Sequence, residues 1–186
     1  IENLELSIAA KESTEDRATC YVYDAAGQQR YVIDPQFYVS ENRYDAYGQV
    51  YQQVRYSDSV QAFSSTITLP ELEALLEARF GSTAVGGSRY YNDPDARYVT
   101  YLYDKNGQEL ASINPLGNIS SAVYNQYGEI VAQTQHASTI SNDITASDWS
   151  DQLVRDAQVQ IIESSIYPND RTNRWIYNKN GQALFS

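Results

Sequence analysis

The chain has one cysteine, Cys20, one histidine, His136, and no methionine among its 186 residues. A single thiol excludes an internal disulfide, and Cys20 reads as a small residue within a strand. One imidazole leaves a single candidate for acid–base work near neutral pH. No run of about 18 apolar residues occurs, so no membrane-spanning helix is expected. No charged-then-apolar leader opens the sequence, and no export signal is visible. Without an initiator methionine the sequence reads as an excised or processed piece of something longer, whose missing part could carry targeting signals. Lysine is confined to Lys11, Lys105 and Lys179 in a chain of net charge −11. Such an acidic surface repels phosphate backbones and anionic lipid, so neither nucleic acid nor membrane insertion is expected. No glycine-rich phosphate loop and no Cys/His zinc cluster is written, which predicts no cofactor.

What abounds is tyrosine, 17 residues against four phenylalanines. Many sit in a recurring phrase: an aromatic residue, Asp or Asn, two free positions, then Gly. It occurs at Tyr23-Asp24…Gly27, Tyr44-Asp45…Gly48, Tyr103-Asp104…Gly107, Tyr124-Asn125…Gly128 and Tyr177-Asn178…Gly181. Asp or Asn opening a type I turn bonds its own backbone two residues on, and Gly in fourth place takes the left-handed conformation that releases the next strand. That chemistry closes a hairpin with a bulge. Intervening turns fall at Asp34-Pro35-Gln36-Phe37 and Asn114-Pro115-Leu116-Gly117. The first has Phe where Gly is expected, so it must differ or be strained.

Turns every ten or eleven residues leave room for strands of about six. Alternation agrees: Tyr21 and Tyr23 share a face, as do Tyr101 and Tyr103. In 49–56, Val50, Gln52, Val54 and Tyr56 fall on one face, with Tyr51, Gln53 and Arg55 on the other. Between these meanders the period becomes helical. Thr68, Pro70 and Glu71 form a helix start with capping-box spacing, Leu72, Leu75, Leu76 and Phe80 line one face, and Gly81 ends it. A second stripe, Trp149, Leu153, Val154, Ala157, Ile161 and Ile162, predicts another helix within 147–165. The expected organisation is the end of a preceding helix at 1–16, a first repeat pair at 17–58, a helical insert and linker at 59–96, a second pair at 97–137, another helical insert at 138–170, and the start of a third unit at 171–186. The fold class is mainly β, antiparallel hairpins and meanders in a twisted or spiralling sheet, with one helix inserted per unit of about 80 residues.

The residues RATCYVYDAAGQQRYVIDPQFYVSENRYDAYGQV, 17–50, resemble tandem YD repeats of the RHS type, and similar segments at 97–136 and 174–186 extend the resemblance over about half the chain. It implies a large bacterial protein, secreted or surface-displayed, whose repeats form a spiralling sheet. In toxin-associated members that sheet closes around a cargo. The partners implied are adjacent repeats of the same chain or of like chains, and a glycan or an encapsulated toxin. Some members cleave themselves at an Asp-Pro-x-Gly motif. Here Asn114 stands in the Asp position and Asp34-Pro35 lacks the Gly, so the protease is not carried over.

Catalytic chemistry is not expected. Ser138, His136 and Asp143 could be assembled on paper, but His136 reads as an exposed loop residue. Asp104-Lys105-Asn106-Gly107 and Asn178-Lys179-Asn180-Gly181 lack the later acidic ligand of a calcium loop. Asn92-Asp93-Pro94-Asp95 reads as a surface turn, and no metal site is assigned. The chain reads as a structural module, with Asp24, Gly27, Asp45, Gly48, Asp104, Gly107, Asn125, Gly128, Asn178 and Gly181 making the turns. The alternative is a carbohydrate-binding adhesin in which exposed tyrosines, among them Tyr47, Tyr90, Tyr91, Tyr98 and Tyr127, carry sugar rings.

Overall fold

The computed structural model describes residues 18–60, 67–85, 88–139 and 169–185. The helix expected at 1–16 and the one read from 147–165 lie outside these residues. The described chain is mainly β, with one helix. Nine antiparallel strands form one sheet: β1 (Cys20–Tyr23), β2 (Gln29–Ile33), β3 (Tyr38–Tyr44), β4 (Val50–Ser59), β7 (Arg97–Tyr103), β8 (Glu109–Ile113), β9 (Asn118–Tyr124), β10 (Ile130–Thr139) and β11 (Arg171–Arg174). They pair in that order. The two halves are thereby one continuous sheet, joined where Gln52 to Arg55 of β4 face Thr100 to Arg97 of β7.

Between β4 and β7 the chain leaves the sheet for α1 (Leu69–Phe80) and a separate hairpin, β5 (Ser82–Val85) with β6 (Ser88–Tyr91). Residues 82–91 of the expected insert and linker at 59–96 are therefore hairpin, and its pairing begins directly after Gly81 ends the helix at φ 68°. The helix starts as its sequence predicts: the Thr68 amide donates to Glu71 Oε2 at 2.8 Å. A final small hairpin, β12 (Ile176–Tyr177) with β13 (Ala183–Phe185), follows β11.

The helix lays Leu72 and Leu76, both fully buried, on a face made of Val22, Tyr31, Ile33, Val39, Val54 and Tyr56. These sheet residues alternate along their strands, the period-two pattern of a half-covered sheet. Phe80 stacks on the Tyr56 ring, centroids 5.3 Å apart. A second cluster holds Leu102, Ala111, Ile113 and Ile119 together with Tyr51. Alternation puts Tyr51 on the outer face, yet it is buried. The pairing passes from Arg43↔Gln52 to Tyr44↔Val50, so Tyr51 is the extra residue of a β-bulge, and the bulge re-aims its side chain.

The first face also buries ions. Glu41 and Arg43 lie in β3, only 0 % and 2 % exposed. Arg43 Nε and Nη2 meet Glu41 Oε2 at 3.1 and 3.0 Å, Arg43 Nη1 donates to Gln52 Oε1 at 2.7 Å, and the Tyr56 hydroxyl donates to Glu41 Oε2 at 2.7 Å. Glu41 Oε1 stands 2.6 Å from Arg30 Nη2 but receives no hydrogen bond, so charge rather than direction holds it. The Arg43 guanidinium lies 4.6 Å from the centre of the Tyr90 ring. Nothing in the polar letters of β3 announced this cluster.

Candidate functional site

The five turn phrases share one hydrogen-bonding pattern. In the first, Gly27 N donates to Asp24 O at 3.0 Å and Asp24 N to Gln28 O at 2.9 Å. Asp24 Oδ1 accepts from the amides of Ala26 and Gln28, both at 2.9 Å. Asp45, Asp104, Asn125 and Asn178 make the same two side-chain contacts. Gly27, Gly48, Gly107, Gly128 and Gly181 all have φ between 73° and 82°, a region open to glycine and strained for other residues. Asp104 Oδ1 and Asn178 Oδ1 each accept two backbone amides, and Asp104 Oδ2 accepts from Asn106 Nδ2 at 3.3 Å. Phe37 holds the same conformation at φ 66°, and its amide donates to Asp34 O at 2.9 Å, as Gly117 does to Asn114. The expected strain is present there, in a turn that keeps its shape.

The turns also contact one another. The hydroxyls of Tyr44, Tyr103, Tyr124 and Tyr177 donate to the carbonyls of Gln29, Val50, Glu109 and Ile130 at 2.8, 2.9, 2.9 and 2.7 Å. Each acceptor lies two residues past the glycine of the preceding turn phrase. The residue between, Gln28, Gln49, Gln108 or Glu129, covers the next glycine. A Cβ on Gly48, Gly107, Gly128 or Gly181 would stand 3.2, 2.9, 3.1 or 2.9 Å from its terminal atom. Every marker tyrosine and glycine after the first is therefore locked to the turn before it. What recurs among the marker tyrosines is the bond made by their hydroxyls. The Gln or Glu after each glycine recurs in the sequence as regularly as the tyrosine.

The exposed-tyrosine platform divides. Tyr47 and Tyr127 sit at turn tips, 82 % and 78 % exposed. Tyr98 is half-buried in β7. Tyr90 and Tyr91 correct the expectation: β6 turns them inward, 9 % and 4 % exposed, one onto Arg43 and the other edge-on to Tyr56 at 5.9 Å. Asp93, read as part of a surface turn, is likewise buried, and its carboxylate accepts from Ser57 N at 2.6 Å and Ser57 Oγ at 2.8 Å. A groove of about 610 Å³ lies beside Tyr127, lined by Glu129, Trp175, Tyr177, Asn178 and Lys179.

His136 is not in a loop. It lies in β10 with 5 % of its side chain exposed; Nε2 is 2.8 Å from Ser121 Oγ, and Nδ1 is 3.2 Å from Asp170 Oδ2. Asp143, the carboxylate set beside His136 in the sequence, lies outside the described residues. The order hydroxyl, imidazole, carboxylate is that of a nucleophile, its base and an orienting acid. The group borders an apolar cavity of about 610 Å³. Ser121 is mid-strand, facing Ala111 of β8 and Thr134 of β10. Its neighbours Ser120 and Ala122 face Gln135 and Gln133 of β10. Eighty positions earlier the same places hold Glu41 and Tyr56, joined at 2.7 Å within the core. Asp170 also accepts from Ala137 N at 2.8 Å, as Asp93 does from Ser57 N. The trio acts as a polar clip that ties β9, β10 and the start of β11.

No protein-family model matches the chain, and a search of curated proteins finds no match.

Proposed function

We propose that this chain is a non-catalytic structural module of a large secreted or cell-surface bacterial protein of the RHS/YD-repeat type, in which units of about 80 residues each carry a helical insert. Its sheet extends, walls off or displays another part of the assembly, an encapsulated toxin domain being the cargo the resemblance implies. The observation that carries this reading is the lock between successive turns. Nearest-neighbour contacts that repeat without converging on one pocket are how an array gains stability as it lengthens. The adhesin reading draws on one specific feature, the groove at Tyr127 and Trp175, where an exposed ring and amide and charged groups could take a sugar.

A glycan array with the purified chain separates the two. The scaffold reading expects no saturable binding. Saturable binding lost in both Tyr127→Ala and Trp175→Ala would overturn it in favour of adhesion.

A further inference from the structure

Arginine faces arginine where the two halves of the sheet join. Arg55 of β4 stands opposite Arg97 of β7, and Ser40 of β3 stands opposite Arg55, so the three form one row on one face. Like charges directly opposed across an antiparallel pair cost stability. Arg55 is held from three sides. Its Nη2 meets Asp34 Oδ2 at 2.6 Å, its Nη1 donates to Ser40 Oγ at 3.2 Å, and its guanidinium lies 5.5 Å from the centre of the Tyr38 ring. Arg97 is exposed, and its side chain makes no ion pair or hydrogen bond among the described residues. Asp34 thus offsets one of the two charges, and no described ion pair offsets the other. Tyr38, Arg55, Tyr56, Ser57, Asp95 and Arg97 line a hollow of about 280 Å³ at this place.

The sheet supplies its own comparison at the next join. There Gln135 faces Ser120 on one side and Arg171 on the other, the register in which Arg55 faces Ser40 and Arg97. Gln135 stands for Arg55, Asn114 for Asp34 and Asn118 for Tyr38. The facing arginine and two of the three groups that hold it are replaced together, and the sheet still continues through the join. The opposed arginines are therefore not a requirement of the fold. We infer that Arg55 and Arg97 together bind one carboxylate in this hollow. Arg55 supplies a fixed fork, and Arg97 closes on the same group from the facing strand. Guanidinium groups match a planar carboxylate with paired N–H donors. With Asp34 and Asp95 beside the arginines, a group of one negative charge meets less repulsion than a doubly charged phosphate. The carboxylate can belong to a small organic acid or to an acidic side chain of a peptide, and the chemistry at the arginines is the same.

Proton–nitrogen NMR of the arginine Nε–H groups reads the site directly. Titration with sodium acetate, at an ionic strength held constant with sodium chloride, should move the Arg55 and Arg97 signals together to saturation and leave Arg171 in place. Arg97→Gln should weaken the response about tenfold or more, the worth of one charge-assisted contact, without lowering the melting temperature. A second titration uses a short blocked peptide with one glutamate. Saturation at lower concentration by acetate identifies a free acid as the ligand, and saturation at lower concentration by the peptide identifies an acidic side chain. A response that neither saturates overturns the inference, as does an unchanged response in Arg97→Gln or an Arg171 shift as large as that of Arg97. Phosphate binding more tightly than acetate would overturn the assignment to a carboxylate. The site stands apart from the turn lock, so its failure would leave the scaffold reading standing.

Discussion

Glu41→Ala is expected to destabilise the protein by about 3–5 kcal/mol, more than any exposed substitution. The reason is what remains. Arg43 is 2 % exposed, and burial disfavours its charge; Glu41 overrides that and holds its pKa above the ordinary arginine value. Without the carboxylate the guanidinium keeps Gln52 and the face of Tyr90, neither of which carries compensating charge. The Tyr56 hydroxyl loses its acceptor as well. Glu41→Leu combined with Arg43→Met should cost less than the sum of the two single changes, because the fully buried Arg43 charge is removed together with its partner and only the part-exposed Arg30 is left. Urea denaturation of the four proteins measures this. A single-mutant loss under about 1 kcal/mol would mean that water reaches the cluster.

Stability should also fall steeply above about pH 10. Burial, aided by the Glu41 carboxylate, raises the pKa of Tyr31 and of Tyr56, each 1 % exposed, above the ordinary tyrosine value. Burial raises Tyr51 too, and, with help from Glu109, pushes Tyr103 up to about 12. The sign follows from the proton count. Above about pH 10 the unfolded chain releases phenolic protons that the folded chain keeps, so deprotonation favours unfolding. The stabilisation is complete below pH 10 and is lost as pH rises toward each folded value. Each fully buried tyrosine removes about 1.4 kcal/mol per pH unit in that range. The urea midpoint should be level from about pH 7 to about pH 9 and drop sharply by about pH 11. Tyr31→Phe should reduce the slope. A midpoint unchanged at about pH 11 would mean that these phenols ionise while folded.

Much of the fold could be read from local chemistry. Asp or Asn followed by Gly at a fixed step sets a turn regardless of what surrounds it, and α1 carried its own start and stop in Thr68, Glu71 and Gly81. What escaped depends on residues distant in sequence. The Ser121–His136–Asp170 clip joins β9, β10 and the residue before β11, and Asp170 is far from His136 in sequence. Tyr90 and Tyr91 look like loop aromatics until the hairpin of β5 and β6 folds them onto Arg43 and Tyr56. Glu41 and Arg43, alternating with Ser40 and Asn42, gave no apolar signal for an inward face. The lock was half legible: the tyrosines recur in the turn phrase, while the Gln or Glu after each glycine, whose spacing is just as regular, has meaning only once two turns lie side by side.

Tyrosine hydroxyls join each turn to the one before. Single Tyr→Phe changes at 44, 103, 124 and 177, with Tyr23→Phe as the control, test it directly by urea denaturation. Each of the four should lose about 0.5–1.5 kcal/mol, the worth of its hydrogen bond to a backbone carbonyl, while Tyr23→Phe should be neutral. If all five behave alike, whether every one is neutral or every one is destabilised, the turns are not linked in this way.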